Sequence, residues 1–458
     1  MGRAILIAIC AMVAALAVVV AGLYIVANRW LASDEFRAWA SAEVSKALGV
    51  EGEFQPPRWS QSTVYSEGFV GQGPPDGGVS GIRAEQVRAQ FDPRGILQGV
   101  WRLDTLTVGR VTIDLGLRQP ASAGAPQTER RDKETPAVPR RRRAWKISLP
   151  FVPKRFEMRQ VKVESFDLRW PAGSNGIGSL AGTAVDAGSK GRTWEFLGQG
   201  GTLRYPGVPD MSITGFNVRL DWPTLYVTSA DVALKEGRQG AVSVSGEANC
   251  EGDRPVDLNV RVEGLPVDRF LTADWRARLE GRLSGTARFT GPTRRGDEFR
   301  ADGELRVSDG RVSALPVLDE IASLTGTDAF RSFKLDRADA KVRWSGGKLV
   351  FEDIWIESHG LLRINGTVSD HGGQIEGALE VGTTEDRLKL IPGARRHVFT
   401  READGYVWAQ SGVRLSGTRD QIQEDLTPRL ASGAVREVQE NIGGAVRGML
   451  DIIDKVLR

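Results

Sequence analysis

The sequence predicts a mainly β protein. It should open with an N-terminal transmembrane helix, continue as an elongated, curled antiparallel sheet shaped as a groove or taco, and close with a C-terminal amphipathic helix. Three observations carry this expectation. Stretches of period-two alternation recur from about residue 54 to about residue 418, at intervals of roughly 8–12 residues. Turn signals such as Gly346-Gly347, Gly372-Gly373 and Asp309-Gly310 separate them. No helical stretch long enough for a βαβ crossover interrupts the series, so the pairing should be antiparallel. A sheet of this kind must hide its apolar face by closing as a barrel, stacking as a sandwich or curling around something that fills it.

Residues 1–30 form the expected anchor. Ala4 to Ala27 carries no charge and is mostly Ala, Val, Ile and Leu. That is long enough for a bilayer span of roughly 20 residues. A cleaved signal peptide is the alternative, but its apolar region is shorter, about 7–15 residues. Tyr24 and Trp30 stand where interfacial aromatics belong. A large strand-rich body after such an anchor suggests an N-in orientation.

Residues 31–118 begin with an amphipathic helix and the first strands. Ser33 is placed to cap, Asp34 and Glu35 sit in the first turn, and Gly49 ends the helix. Phe36, Trp39, Ala40, Val44, Ala47 and Leu48 share one face, which packs on the first strands or lies at the membrane surface. Val111, Ile113 and Leu115 alternate with Thr112, Asp114 and Gly116. Residues 119–144 are rich in Pro, Ala, Arg and Glu and poor in large apolar residues, so they read as a disordered loop. Arg140, Arg141, Arg142 and Arg143 are either a solvated run or a contact for anionic head groups.

Residues 145–300 resume the strands. A change of phase at Ser165, between Val163 and Phe166, predicts a bulge. Phe216, Val218 and Leu220 alternate with polar residues, as do Leu258 and Val260. Residues 301–425 repeat the pattern in Val342 and Trp344, Leu349 and Phe351, and Leu362 and Ile364. These fourteen apolar residues, from Val111 to Ile364, are the candidates for a lipid groove, with ordinary core packing as the alternative for each. Residues 426–458 read as a helix, with Val435, Val438, Ile442, Ala445, Val446, Met449, Ile453 and Val456 in a stripe. The stripe could cover the sheet end, pair with another helix or bind a membrane surface.

Composition narrows the function. Lys and Arg number 61 against 58 Asp and Glu, which argues against a nucleic-acid binder with its clustered basic excess. Cys10 and Cys250 are too differently placed to form a disulfide framework. His359, His371 and His397 fall in no metal-ligand spacing. Gly291 to Gly296 lacks the Lys-Ser/Thr ending of a phosphate loop, and no nucleophile elbow occurs. A non-enzymatic protein without cofactors is expected.

The order of motifs resembles the AsmA-like family of bacterial envelope proteins. The carrying residues are Gly303-Glu304-Leu305-Arg306-Val307-Ser308-Asp309-Gly310, the patch Pro316 to Leu324 leading to Phe333, Gly366-Thr367-Val368, and Ser416-Gly417-Thr418 with Ile422 and Leu426. The anchor and the Phe36–Leu48 helix look like the family's opening. The chain departs in its closing turn, where Arg419-Asp420 stands instead of an early proline, and in its Arg-rich insert. The resemblance implies a single-pass inner-membrane protein with its body in the periplasm. It implies an apolar β-groove that assists phospholipid transfer between the membranes, or outer-membrane homeostasis, with membrane lipids as partners. A scaffold or regulator of outer-membrane protein assembly, with an envelope partner on the C-terminal helix, is the alternative.

Overall fold

The computed structural model describes residues 33–60, 62–74, 78–92, 100–117, 155–172, 176–235, 240–271, 273–293, 298–313, 332–418 and 421–439. The expected anchor at 1–30, the arginine run at 140–143, the Pro316–Leu324 patch and the helix beyond 439 lie outside them. No helix among the described residues is long and apolar enough to cross a membrane. The chain is mainly β and divides into two units, 1–206 with 215–219, and 207–214 with 220–458.

The first unit starts with helix α1 (Asp34–Leu48). The Ser33 hydroxyl accepts from the Phe36 amide at 3.3 Å, and Gly49 closes the helix in the left-handed region at φ 66°. Nine strands follow: β1 (Glu51–Phe54), β2 (Arg58–Ser60), β3 (Thr63–Gln72), β4 (Val79–Asp92), β5 (Val100–Leu115), β6 (Arg155–Ala172), β7 (Gly176–Lys190), β8 (Thr193–Gln199) and β9 (Thr202–Tyr205). Phe36 is buried in a cluster with Phe91, Trp101 and Leu103, so the apolar face of α1 packs on the first strands. Ser41 and Ser45 fix the contact, accepting from the amides of Phe54 and Gly52 at 3.0 Å each.

One pairing departs from the expected antiparallel sheet. β5 and β6 run parallel, from Val100 opposite Arg155 to Asp114 opposite Arg169. A parallel pair cannot be joined by a tight turn; it needs a crossover of a dozen or more residues. Residues 116–154 supply that length without any helix being required by the sequence. The bulge expected near Ser165 is present, as a register shift between Val163 and Phe166 against β7.

Strand β10 (Val208–Asp221) contributes residues to both units. The second unit continues with β11 (Thr224–Leu234), β12 (Ala241–Asn249), β13 (Pro255–Pro266), β14 (Leu279–Pro292), β15 (Arg300–Ser313), β16 (Ser332–Leu335), β17 (Arg337–Ser345), β18 (Lys348–Ser358), β19 (Leu362–His371) and β20 (Gln374–Thr383). From β11 to β20 consecutive strands pair antiparallel, except that β17 lies along β15 beside the short β16. The far end is a cap. It comprises α2 (Glu385–Leu388), α3 (Ala394–His397), β21 (Phe399–Ala403), β22 (Tyr406–Ala409), β23 (Val413–Thr418), β24 (Ile422–Glu424) and helix α4 at 426–439. Its core gathers Val381, Leu388, Ile391, Ala394, Val398, Phe399, Val407, Ala409, Val413 and Leu430, all buried.

Candidate apolar binding face

Cross-strand partners in register share one face of a sheet. Followed strand by strand in the second unit, the register produces a row of ten: Ala230, Val244, Val260, Ala287, Gly303, Val342, Phe351, Val368, Gly377 and Leu415. None carries a polar side chain, and each is half-buried. A second row runs through Val227, Gly246, Leu258, Phe289, Ala301, Trp344 and Leu349, and a third through Val232, Val242, Val262, Gly285, Leu305 and Ala340. Phe299 stands against Trp344 edge to face, with ring centroids 5.5 Å apart. Only Ala301 in these rows is fully buried.

The opposite face is charged and internally paired. The Arg288 guanidinium grips the Asp257 carboxylate through two bonds of 2.8 and 2.5 Å, and holds that carboxyl below the usual carboxylate range. Arg343 donates to Asp302 at 3.3 Å and to Glu352 at 3.0 Å. Lys341 sits 2.8 Å from Asp353, whose hydrogen bond raises the ammonium's pKa. A concavity of about 830 Å3 opens here. Its lining includes Ser243, Ser245, Asn259, Arg261, Thr286, Arg288, Asp302, Glu304, Lys341, Arg343 and Glu352. Val244, Val260, Ala287, Gly303 and Val342 of the first apolar row stand between these polar residues in the same lining.

The fourteen candidates divide among several places. Leu258, Val260, Val342, Trp344, Leu349 and Phe351 converge on the rows just described. Leu362 and Ile364 pack instead against the cap core. Val111 and Ile113 belong to the first unit, opposite Ala84 and Ile82 on one side and Phe166 and Leu168 on the other, while Leu115 faces Val79. Phe216 and Val218 fall in the first unit and Leu220 in the second. The Phe216 ring lies directly on Gly198, where no β-carbon would fit. All fourteen are half-buried.

No protein-family model, no curated protein and no solved structure matches this chain. The site therefore has to be read from its own residues. Several members of the rows escape sequence reading: Ala287, Gly303 and Gly377 are too small to register as an apolar pattern. Val242 and Val244, alternating with Ser243 and Ser245, were legible by the same signal as their neighbours.

A buried polar knot beside the cap also has no signature in the sequence. The Glu357 carboxylate accepts from Arg363 at 2.7 Å, from the Tyr406 hydroxyl at 3.1 Å and from Trp355 Nε1 at 3.3 Å. The Arg363 guanidinium lies 4.4 Å from the Tyr406 ring centroid and 5.0 Å from that of Trp355. Arg363 holds the Glu357 carboxyl below its ordinary range, and burial pushes the Tyr406 hydroxyl up. Each acceptor on the carboxylate has a donor, which makes the knot a fastening of β18, β19 and β22. Among the described residues no cluster of His, Cys, Asp and Glu could hold a metal ion.

Proposed function

We propose that this protein binds the acyl chains of membrane lipids along the apolar face of its second unit, and in doing so assists phospholipid movement between membranes. The observation that carries the reading is the ten-strand row from Ala230 to Leu415, uninterrupted by any polar side chain and only partly buried along its length. With strands about 4.8 Å apart, such a row extends for roughly 43 Å. One leaflet of a bilayer is only about 15 Å of hydrocarbon, half of a core about 30 Å thick. The row is therefore long enough for one acyl chain or several. Each CH2 kept out of water is worth about 0.8 kcal/mol, so an apolar surface lowers the cost of transfer with no chemistry at all. In this reading Ala4–Ala27 anchors the chain in an inner membrane and the sheet stands in the periplasm, as the resemblance to AsmA-like proteins implies.

The test is native mass spectrometry of the full chain in mild detergent, with extraction and identification of bound lipid. Stoichiometric phospholipid is expected, and it should be lost in Val260→Asp and Phe351→Asp but kept in Asn259→Asp, which changes the opposite face. A folded protein without lipid, under conditions that load a known carrier, sinks the reading. The charged concavity favours a second reading, a non-enzymatic scaffold or regulator of outer-membrane protein assembly that holds polypeptide. That reading predicts lipid-free protein and client binding sensitive to Arg288→Glu.

A further inference from the structure

Helix α1 meets β1 in the manner of a neighbouring strand. Along one edge β1 pairs with β3, from Glu51 opposite Gln72 to Phe54 opposite Phe69. The backbone groups on the other edge of such a strand are a template for a further strand. At that edge the Gly52 N–H donates to the Ser45 hydroxyl at 3.0 Å, and the same hydroxyl donates back to the Gly52 carbonyl at 3.2 Å. The Phe54 N–H donates to the Ser41 hydroxyl at 3.0 Å. Ser45 thus offers Gly52 an acceptor and a donor, as a residue of an adjacent strand does. Ser41 is buried by the contact, at 4% exposure.

The spacing explains how a helix can do this. Ser41 and Ser45 are one turn apart, about 6 Å along the axis. Gly52 and Phe54, two residues apart in a strand, are separated by about 6.7 Å. Helix and strand run in opposite directions, so Ser45 reaches Gly52 and Ser41 reaches Phe54. Arg37, one turn earlier, continues the stripe to Glu53 at 3.7 Å. We infer that α1 is a surrogate strand, an autoinhibitory contact that holds the β1 edge shut against strand addition. Displacing it opens a site for one kind of partner, an extended polypeptide that pairs with β1 through its backbone. The contact belongs to the first unit and involves none of the apolar rows, so it is independent of lipid binding.

The test uses the full chain in detergent and a fluorescent peptide of the β3 sequence, Thr63 to Gln72, which β1 already accepts on its other edge. Fluorescence anisotropy should show Ser41→Ala with Ser45→Ala binding the peptide roughly tenfold more tightly than the native chain, through the backbone groups set free. Glu43→Ala, at an exposed position of α1 outside the stripe, should behave as native. Adding Arg37→Cys with Glu53→Cys to the alanine variant, with Cys10 and Cys250 replaced by Ser, should abolish binding on oxidation and restore it on reduction. In the native chain, amide hydrogen exchange at Gly52 and Phe54 should keep pace with that of α1, because opening of the helix is what frees them. A folded alanine variant that binds no better than native overturns the inference, as does protection at Gly52 and Phe54 that outlasts the protection of α1. If the alanine variant does not fold, the exchange result alone decides.

Discussion

The Arg363 guanidinium and the Glu357 carboxylate meet at 2.7 Å with both side chains withdrawn from water, at 15% and 9% exposure. Removing one partner strands the other charge, at a cost of about 3–5 kcal/mol. Arg363→Leu should lose that much in urea denaturation followed by tryptophan fluorescence. The double replacement Arg363→Leu with Glu357→Leu should recover a large part of it. Tyr406→Phe removes one donor of three and should cost about 1 kcal/mol.

The same knot sets a pH dependence. Glu357 is held below its ordinary value of 4.5 by the Arg363 hydrogen bond, against the opposing effect of burial. A depressed carboxyl contributes its full stability above the unfolded-state value and loses it as pH falls through the folded-state value. Stability should therefore decline below about pH 4.5, and less steeply in Glu357→Gln. Tyr406 acts with the opposite sign. Its folded-state value is raised above 10.0, so its contribution is complete below that pH and is lost as pH rises through the folded-state value. Denaturation midpoints measured at acid and alkaline pH check both arms.

Gly198 is bare because the Phe216 ring occupies the place of its side chain. Its φ lies outside the left-handed region, so a substitution meets only the ring. Gly198→Ala should destabilise by about 1–3 kcal/mol through overpacking. Combining it with Phe216→Leu should cost less than the two changes summed, a coupling that a double-mutant cycle on thermal midpoints would detect. Strict additivity would mean the ring does not rest there.

The parallel register of β5 and β6 places Arg110 opposite Ser165. Partners in adjacent strands fall within the roughly 4.4–6.8 Å Cα separation of a disulfide. Arg110→Cys with Ser165→Cys should oxidise readily in a chain otherwise free of cysteine. Arg110→Cys with Lys162→Cys, three residues out of register, should not. Non-reducing electrophoresis reads the outcome, and an antiparallel hairpin would fail the first test.

Period-two alternation is a local property, and the strands it predicts are present because pleated backbone turns alternate side chains to opposite faces wherever water lies on one side. What covers the other side is not local. Leu362 and Ile364 alternate with polar residues just as Leu258 and Val260 do, yet the first pair packs on the cap core and the second joins the apolar rows across the sheet. The parallel pair was hidden because its strands are separated by a long stretch with no pattern of its own. The knot at Glu357 joins residues from β18, β19 and β22, whose approach depends on sheet pairing and leaves no trace in spacing. Small members of the apolar row, such as Gly303 and Gly377, contribute by lacking a side chain, which no hydrophobic count records.

The parallel pair makes residues 116–154 a measured span. Because Val100 lies opposite Arg155, the chain leaving Leu115 must return along the full length of β5 before β6 can start. Fifteen steps of about 3.3 Å make that journey roughly 50 Å. A fully extended chain needs about 15 residues to cover it. The Pro- and Arg-rich stretch thus has a floor on its length but no ceiling: two dozen residues can be deleted or many inserted, while trimming below the floor would force β6 out of register and detach everything that follows it.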